Sequence, residues 1–347
     1  MANAKAWKCG TPGSPNYPAD FEILNKAVLQ VTDIKTNRNK YYAIELHQAS
    51  ASAAHLRFRV FTHYGRTDDL EKNPDAGVRE GRFFGNLAQA QSCYQRIYKQ
   101  KTSPRKGYKE ISLASSRIGS AKARGTSTGH VDNKTLERLK PQNNAPGVRR
   151  RTVRRRAALS PELQTLMRTL YNEATSALTS TIQARITANG IETPLGVLTI
   201  GQIEQGERIL EDAWEVFQKS QSQGRRRRVG LEDKLVDLTG QFYTVIPHRI
   251  GRSRAAAEAS VINTMADFEQ KQNTLQLMKD MLKVEGSSVG VLHSNEMDLK
   301  YQALGAKITP IERRSDEFRR IRDLVEKSQI KRRHVKVRNV FQVERPG

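Results

Sequence analysis

The sequence predicts an α+β protein: a small antiparallel sheet first, an all-α segment next, and the opening of a further α/β domain last. Three observations carry this. Apolar residues alternate with period two up to about Thr62, they recur at helical spacing from about Ser160 to Lys283, and after Gly286 the pattern changes again to one helix and a strand. At 347 residues the chain has room for two or three domains.

Residues 1–20 hold Gly10, Pro12, Gly13, Pro15 and Pro18 with little apolar content, which reads as a disordered tail. Over residues 21–116, Tyr42, Ile44 and Leu46 alternate with Tyr41, Ala43 and Glu45, and Leu56, Phe58 and Val60 alternate with Arg57, Arg59 and Phe61. These are expected to be half-buried antiparallel strands, the first pair joined by turn chemistry at Thr36-Asn37-Arg38-Asn39. Leu87, Ala90, Tyr94, Ile97 and Tyr98 place one helix across the sheet.

Residues 117–157 read as a flexible basic linker. Between Arg117 and Arg156 there are twelve Lys or Arg against two acids, Asp132 and Glu137, and such a stretch cannot bury enough apolar surface to offset its ordering entropy.

Residues 158–285 are expected to be a helical bundle. Ser160-Pro161 supplies an N-cap and a proline at the first helical position, and one apolar stripe runs from Leu163 to Ile186 with Asn189-Gly190 as its stop. A second helix starts at Thr199 with Gln202 in the capping-box position, and Arg225 to Arg228 is expected to be an exposed basic loop. A third helix carries Leu235, Leu238, Phe242 and Val245, and a fourth buries Val261, Met265, Phe268, Leu275, Met278 and Leu282. Residues 286–347 then hold a helix over about Asp316 to Lys327 and a strand with Val335, Val337, Val340 and Phe341, too little for a core of their own.

The formal net charge of +23 points to a polyanionic partner, nucleic acid before an anionic membrane surface. No apolar run is long enough to span a bilayer and Met1 to Cys9 has no signal-peptide core, so a nuclear or cytoplasmic protein without a membrane partner is expected. Cys9 and Cys93 alone make neither a disulfide framework nor a zinc finger with several thiolates.

Two runs are more specific than a pattern of helices: Thr193-Pro-Leu-Gly-Val-Leu-Thr-Ile-Gly-Gln-Ile203 and Leu235-Val-Asp-Leu-Thr-Gly-Gln-Phe-Tyr-Thr-Val-Ile-Pro-His-Arg-Ile-Gly251. They closely resemble the helical regulatory domain of the poly(ADP-ribose) polymerases. Ile311 to Gly347 looks like the first helix and strand of that family's ADP-ribosyltransferase domain. In the strand-rich part, Asn39 to Leu46 and Phe58-Arg-Val-Phe-Thr-His-Tyr-Gly-Arg66 resemble the WGR domain, with Tyr64 in place of the signature tryptophan. The fold implied is a WGR domain, a helical regulatory bundle and an incomplete transferase start.

The resemblance implies DNA strand breaks as partner, with Tyr64 stacking on sugar and Arg66 bridging DNA to the helical domain. Asn39 and Tyr108 fall where the family places further DNA or interdomain contacts. Arg149, Arg150, Arg151, Arg154, Arg155 and Arg156 are expected to touch phosphate without reading sequence. Asp267 falls at an acidic position that lies against the NAD site in the family's inhibited state, and Lys271 stands where the next acid is expected. His248 has no carboxylate or thiolate at metal spacing and caps structure in the resembled family. The family binds NAD through a histidine-glycine-serine strand and reacts through a later tyrosine and glutamate. His293-Ser294 is not that motif, so NAD is expected only with a transferase domain outside this sequence. Three functions remain open: the sensing and regulatory portion of an NAD-dependent ADP-ribosyltransferase; a non-enzymatic DNA-end adaptor, alone or paired with a separate transferase chain; or a general RNA- or DNA-coating basic protein, for which break ends bind no better than intact duplex.

Overall fold

The computed structural model describes residues 4–50, 54–128, 159–187, 190–222, 224–288, 301, 304–328 and 336–345. They fall into two compact units, residues 1–140 with 178–282, and residues 141–177 with 283–347.

In the first unit, β1 (Trp7–Lys8), β2 (Phe21–Asp33), β3 (Arg38–Ala49), β4 (Phe58–Arg66), β5 (Val78–Phe84) and β6 (Lys109–Glu110) form a sheet ordered β1-β5-β4-β3-β2-β6. Every pairing in it is antiparallel. The chain reverses between β2 and β3 at Asn37, whose φ of 48° suits asparagine better than most side chains. A short helix α1 (Thr67–Lys72) leaves β4. Helix α2 (Leu87–Thr102), capped by the Asn86 carboxamide, buries Ala90, Cys93, Tyr94 and Ile97 against Leu29, Ile44, Leu46 and Val60 on one sheet face.

The other face is covered as well, which corrects the half-buried reading: Tyr41 to His47 are all buried. Residues 117–128 do part of the covering, so this stretch is not linker. Ile118, Ala123 and Thr128 are buried there, and Ser120 donates from its backbone N and its hydroxyl to the buried Glu45 carboxylate at 2.8 and 2.5 Å. The charge statistics of the segment hid these few inward groups. The remainder of the expected linker, residues 129–157, lies outside the described residues.

Residues 4–20 are not a free tail either. Trp7 pairs with Gly81 on the β5 edge, Lys5 Nζ sits 3.6 Å from the Trp7 ring centre, and the Arg59 guanidinium lies 4.0 Å from that of Tyr17. Two aromatic rings supply the anchoring area that the Gly and Pro content concealed.

The segment expected to be all-α contains strands. Helix α3 (Pro161–Thr181) has the Ser160 cap, but it stops at Thr181 and Ile182 and Ile186 lie beyond it. Ile182 pairs with His248, and β7 (Leu113–Ser116), β8 (Arg185–Thr187), β9 (Gly190–Glu192) and β10 (Gly196–Leu198) form a second sheet ordered β7-β10-β9-β8. The edge offered by β7 is distant in sequence, so local periodicity could not register it. Gly196 has φ 149°, and a Cβ there would meet the Ser115 carbonyl oxygen at 2.0 Å.

Helix α4 (Ile200–Gln221) is capped by Thr199, which accepts from the Gln202 backbone N at 3.2 Å. The Gln202 side chain does not close a capping box; it donates to the Val245 carbonyl at 2.9 Å. Helix α5 (Arg225–Val245) includes the basic run expected to be a loop. Arginine is a good helix former, and Arg228 pairs with Glu232 one turn on at 3.0 Å. After the one-turn α6 (Arg254–Glu258), α7 (Met265–Ser288) begins four residues beyond Val261. Trp214, Phe217 and Phe268 meet at 5.1–5.6 Å between ring centres and form the aromatic part of the helical core.

In the second unit, Leu163 and Met167 of α3 pack with Ile308, Tyr301 and Phe341. Strands β11 (Lys307–Pro310) and β12 (Phe341–Glu344) pair antiparallel, and α8 (Asp316–Lys327) starts at the Ser315 cap. Val337 and Val340 precede β12, and Val335 lies outside the described residues. Among the described residues no helix is long and apolar enough to cross a membrane.

Candidate nucleic-acid interface

The end of β4 puts Tyr64 opposite Tyr42 of β3, and the rings stack at 5.2 Å between centres with 13° between planes. Tyr108 meets Tyr42 edge-on at 6.3 Å. The Tyr64 hydroxyl donates to Glu80 Oε1 at 2.9 Å, and Glu80 Oε2 accepts from Arg82 Nη2 at 3.0 Å. Burial and the Glu80 carboxylate push the Tyr64 phenol up to about 12. Its hydroxyl is therefore spoken for, and what the half-buried Tyr64 offers a ligand is ring surface.

Lys101 reaches this cluster from the last turn of α2. Its Nζ lies 4.0 Å from the ring centre of Tyr42, 5.7 Å from that of Tyr108 and 5.8 Å from that of Tyr64. Burial lowers its pKa, the Lys106 charge adds to that, and Arg82 and Lys40 act in the same direction, with Glu80 opposing. This edge is thus both aromatic and cationic, the pairing that single-stranded or broken nucleic acid ends favour.

Arg66, two residues past Tyr64, is held by the protein. It donates from Nη1 to the Asn37 carbonyl at 3.2 Å and from Nη2 to Asp68 Oδ2 at 3.0 Å. The other Asp68 oxygen accepts from Asn39 Nδ2 at 2.9 Å and from Gln183 Nε2 at 3.1 Å. Asn37 Nδ2 in turn donates to the Arg252 carbonyl at 2.6 Å. Arg66 thus connects with the helical segment through two intermediaries. Around them, Glu71 pairs with Arg249, Asp69 with Arg252, and Lys35 with Asp233 and Asp237 at 3.4 and 3.0 Å. Thr32 N donates to Thr244 Oγ1 at 2.9 Å beneath this rim.

Of the residues singled out from sequence, Tyr64 and Arg66 lie at this edge and are partly exposed. Asn39 and Tyr108 are buried, at 2% and 8% exposure, so neither presents a surface to DNA in this conformation: Asn39 serves the Asp68 contact and Tyr108 the ring cluster. Asp267 closes the N-terminus of α7: its carboxylate accepts from Thr264 N at 3.0 Å while the Thr264 hydroxyl accepts from Asp267 N at 3.2 Å. His248 is buried, with Nδ1 2.6 Å from the Ile246 carbonyl, and burial holds its pKa well below the usual histidine range. The six arginines from Arg149 to Arg156 lie outside the described residues. Lys101, Asp68 and Gln183 escaped sequence reasoning. Lys101 does continue the core-facing spacing of Tyr94 and Ile97, the one signal that could have found it.

A sheet domain crossed by one helix, its free face docked on a helical segment, defines a WGR domain joined to a helical regulatory domain. Residues 25–115 match the WGR domain family and residues 157–304 the family described as poly(ADP-ribose) polymerase, regulatory domain. The chain belongs to the poly(ADP-ribose) polymerase family. It is 24% identical over 329 residues to protein mono-ADP-ribosyltransferase PARP3 of Mus musculus, covering 92% of this chain and 56% of the relative. To a poly(ADP-ribose) polymerase of Sarcophaga peregrina it is 23% identical over 329 residues, covering 92% of this chain and 29% of the relative. To poly(ADP-ribose) polymerase 1 of Gallus gallus it is 26% identical over 163 residues, covering 44% and 14%. The chain therefore spans between about half and a seventh of the length of these relatives.

Proposed function

We propose that this chain is the DNA-break-sensing and regulatory portion of an NAD-dependent ADP-ribosyltransferase, with the transferase site outside these residues. The observation that carries the reading is the Arg66–Asp68–Gln183 connection. A ligand that draws the Arg66 guanidinium onto phosphate competes with Asp68, and Asp68 is where the sheet domain holds Gln183 of the helical segment. Occupancy of the Tyr64 edge is thereby coupled to the helical segment through one carboxylate. Tyr64 supplies stacking surface that every sugar or base can use, which suits a structure-selective rather than a sequence-selective contact.

The test is fluorescence anisotropy of labelled nicked and intact duplexes with the purified chain, with NAD consumption followed in the same samples. The expected result is tighter binding to the nicked duplex and no NAD turnover. Equal affinity for both duplexes overturns the sensing role. DNA-stimulated turnover overturns the placement of the chemistry outside the chain.

A further inference from the structure

We propose that Ser253 is a phosphorylation site whose phosphate draws Arg249 and Arg252 off the sheet domain and so loosens the helical segment at that corner. The inference goes beyond the nucleic-acid reading and does not depend on it.

The junction between α1 and the loop after α5 is a match of opposite charge. Helix α1 carries Asp68, Asp69 and Glu71, and residues 249–254 carry Arg249, Arg252 and Arg254 with no acid among them. Glu71 pairs with Arg249 and Asp69 with Arg252, while Arg254 turns to Glu258 of α6 at 2.8 Å. Both cross-junction pairs stand in solvent, with side-chain exposures of 45% and 34% in the first and 65% and 40% in the second. Pairs so placed are screened and hold weakly, so a stronger anion nearby displaces their carboxylates at little cost.

Ser253 lies among these arginines, four residues after Arg249 and flanked by Arg252 and Arg254. It is exposed, as are all residues from Gly251 to Ala255. Its backbone is extended, with φ −87° and ψ 153°, the form in which a groove reads a peptide segment. This setting fits a protein kinase that selects arginine beside the acceptor hydroxyl. In that step Ser253 Oγ bonds to the γ-phosphorus of a nucleoside triphosphate, the bond from that phosphorus to the bridging oxygen breaks, the nucleoside diphosphate leaves, and the hydroxyl proton goes to the kinase base and on to solvent. The product carries a charge of about −1.5 to −2 at neutral pH and three strong acceptor oxygens. It competes with Asp69 and Glu71 for the guanidinium groups and repels the two carboxylates it displaces. Attraction across the corner gives way to repulsion. Thr32 with Thr244, and Asp68 with Asn39 and Gln183, do not use this loop and are expected to persist.

The full chain is incubated with the catalytic fragment of protein kinase C, an arginine-directed kinase, and magnesium ATP, and the phosphorylated residues are mapped by mass spectrometry. Phosphate at Ser253 is the expected result, and labelling of other hydroxyls with none at Ser253 overturns the site. In the second arm, phosphoserine is placed at position 253 by codon reassignment, and amide hydrogen exchange is compared with the parent chain and with Ser253→Ala. Exchange in Thr67–Lys72 and in residues 249–255 is expected to quicken about three- to tenfold with phosphoserine, with Ser253→Ala behaving as the parent. Unchanged exchange in both segments overturns the switch. The double variant Arg249→Gln/Arg252→Gln is expected to quicken the same segments without any phosphate. Phosphoserine added to that variant is then expected to change them less than about twofold. If it quickens them as much as in the parent, capture of the two arginines is not the cause and the proposal falls.

Discussion

His63 and Glu45 make the second face of the sheet sensitive to acid. His63 Nδ1 accepts from Gly119 N at 3.2 Å and its Nε2 lies 2.9 Å from the Ala76 carbonyl, a pattern that only the neutral ring satisfies. Burial holds its pKa at about 4, against 6.5 for the free side chain. The unfolded chain therefore binds the proton more readily, so this contribution is complete above about pH 6.5 and is lost as pH falls toward 4. Stability is expected to drop by about 2 kcal/mol between pH 7 and pH 5 from His63 alone, as read by urea unfolding. His63→Gln should shrink that drop, and stability that rises on acidification would rule out the neutral assignment. Glu45, held down despite its burial by His47 and Ser120, adds loss in the same direction at lower pH. Ser120→Ala removes one donor to that carboxylate and should cost about 1.5–3 kcal/mol in the same unfolding measurement. At the Tyr64 edge, Arg66→Ala is expected to weaken nicked-duplex binding about tenfold or more and Tyr64→Phe less than about threefold, because Phe keeps the stacking face and loses only a hydroxyl already bound to Glu80. Equal losses in anisotropy titrations would mean that the edge is used differently.

Elements in this protein are held as much by long-range partners as by their own periodicity, and α5 shows it within one helix. At Gly240 an added Cβ would meet the Thr32 carbonyl oxygen at 2.9 Å, where α5 lies on β2, whereas at Gly230 it would meet nothing within 4 Å. Gly230→Ala is expected to stabilise by up to about 1 kcal/mol through helix propensity alone. Gly240→Ala gains the same propensity but must push the helix from the strand, a net loss of about 1–3 kcal/mol. Thermal unfolding of the two variants should move in opposite directions. A stabilised Gly240→Ala would mean that helix and sheet are not in contact there in solution.

At the scale of the whole molecule the excess charge of +23 is the dominant fact, and residues 149–156 concentrate it. If these six arginines touch phosphate alone, they should add a uniform contribution to DNA binding. Replacing all six with Gln is expected to reduce the magnitude of the salt slope by up to about five units, at roughly 0.9 per phosphate contact. The preference for nicked over intact duplex should survive, since that discrimination is assigned to the sheet domain. If the preference vanishes while the slope barely changes, the arginine run is the sensor and the roles are reversed.

The sequence by itself determined the α+β class, the order of sheet and helical segments, the caps at Ser160 and Thr199, and the family, because alternation, helical spacing and capping are local and the signature runs are contiguous. It also placed Tyr64 and Arg66 at the end of one strand. Tertiary structure alone decided what those residues touch. Tyr41 to His47 alternate like a half-buried strand, yet both faces are covered, because residues 117–128 and α5 arrive from far along the chain. Ile182 and Ile186 fit a helical stripe but lie beyond the helix, because Ile182 pairs with His248, far along the chain, and Ile186 with Ile191 in the hairpin of β8 and β9, whose sheet is completed by the distant β7. Asn39, expected at a DNA or interdomain contact, lies in the interior as a donor to Asp68 for the same reason. A side chain's type and spacing set which contacts it is able to make, whereas the partner that satisfies a buried polar group is chosen by the packing of segments distant in sequence.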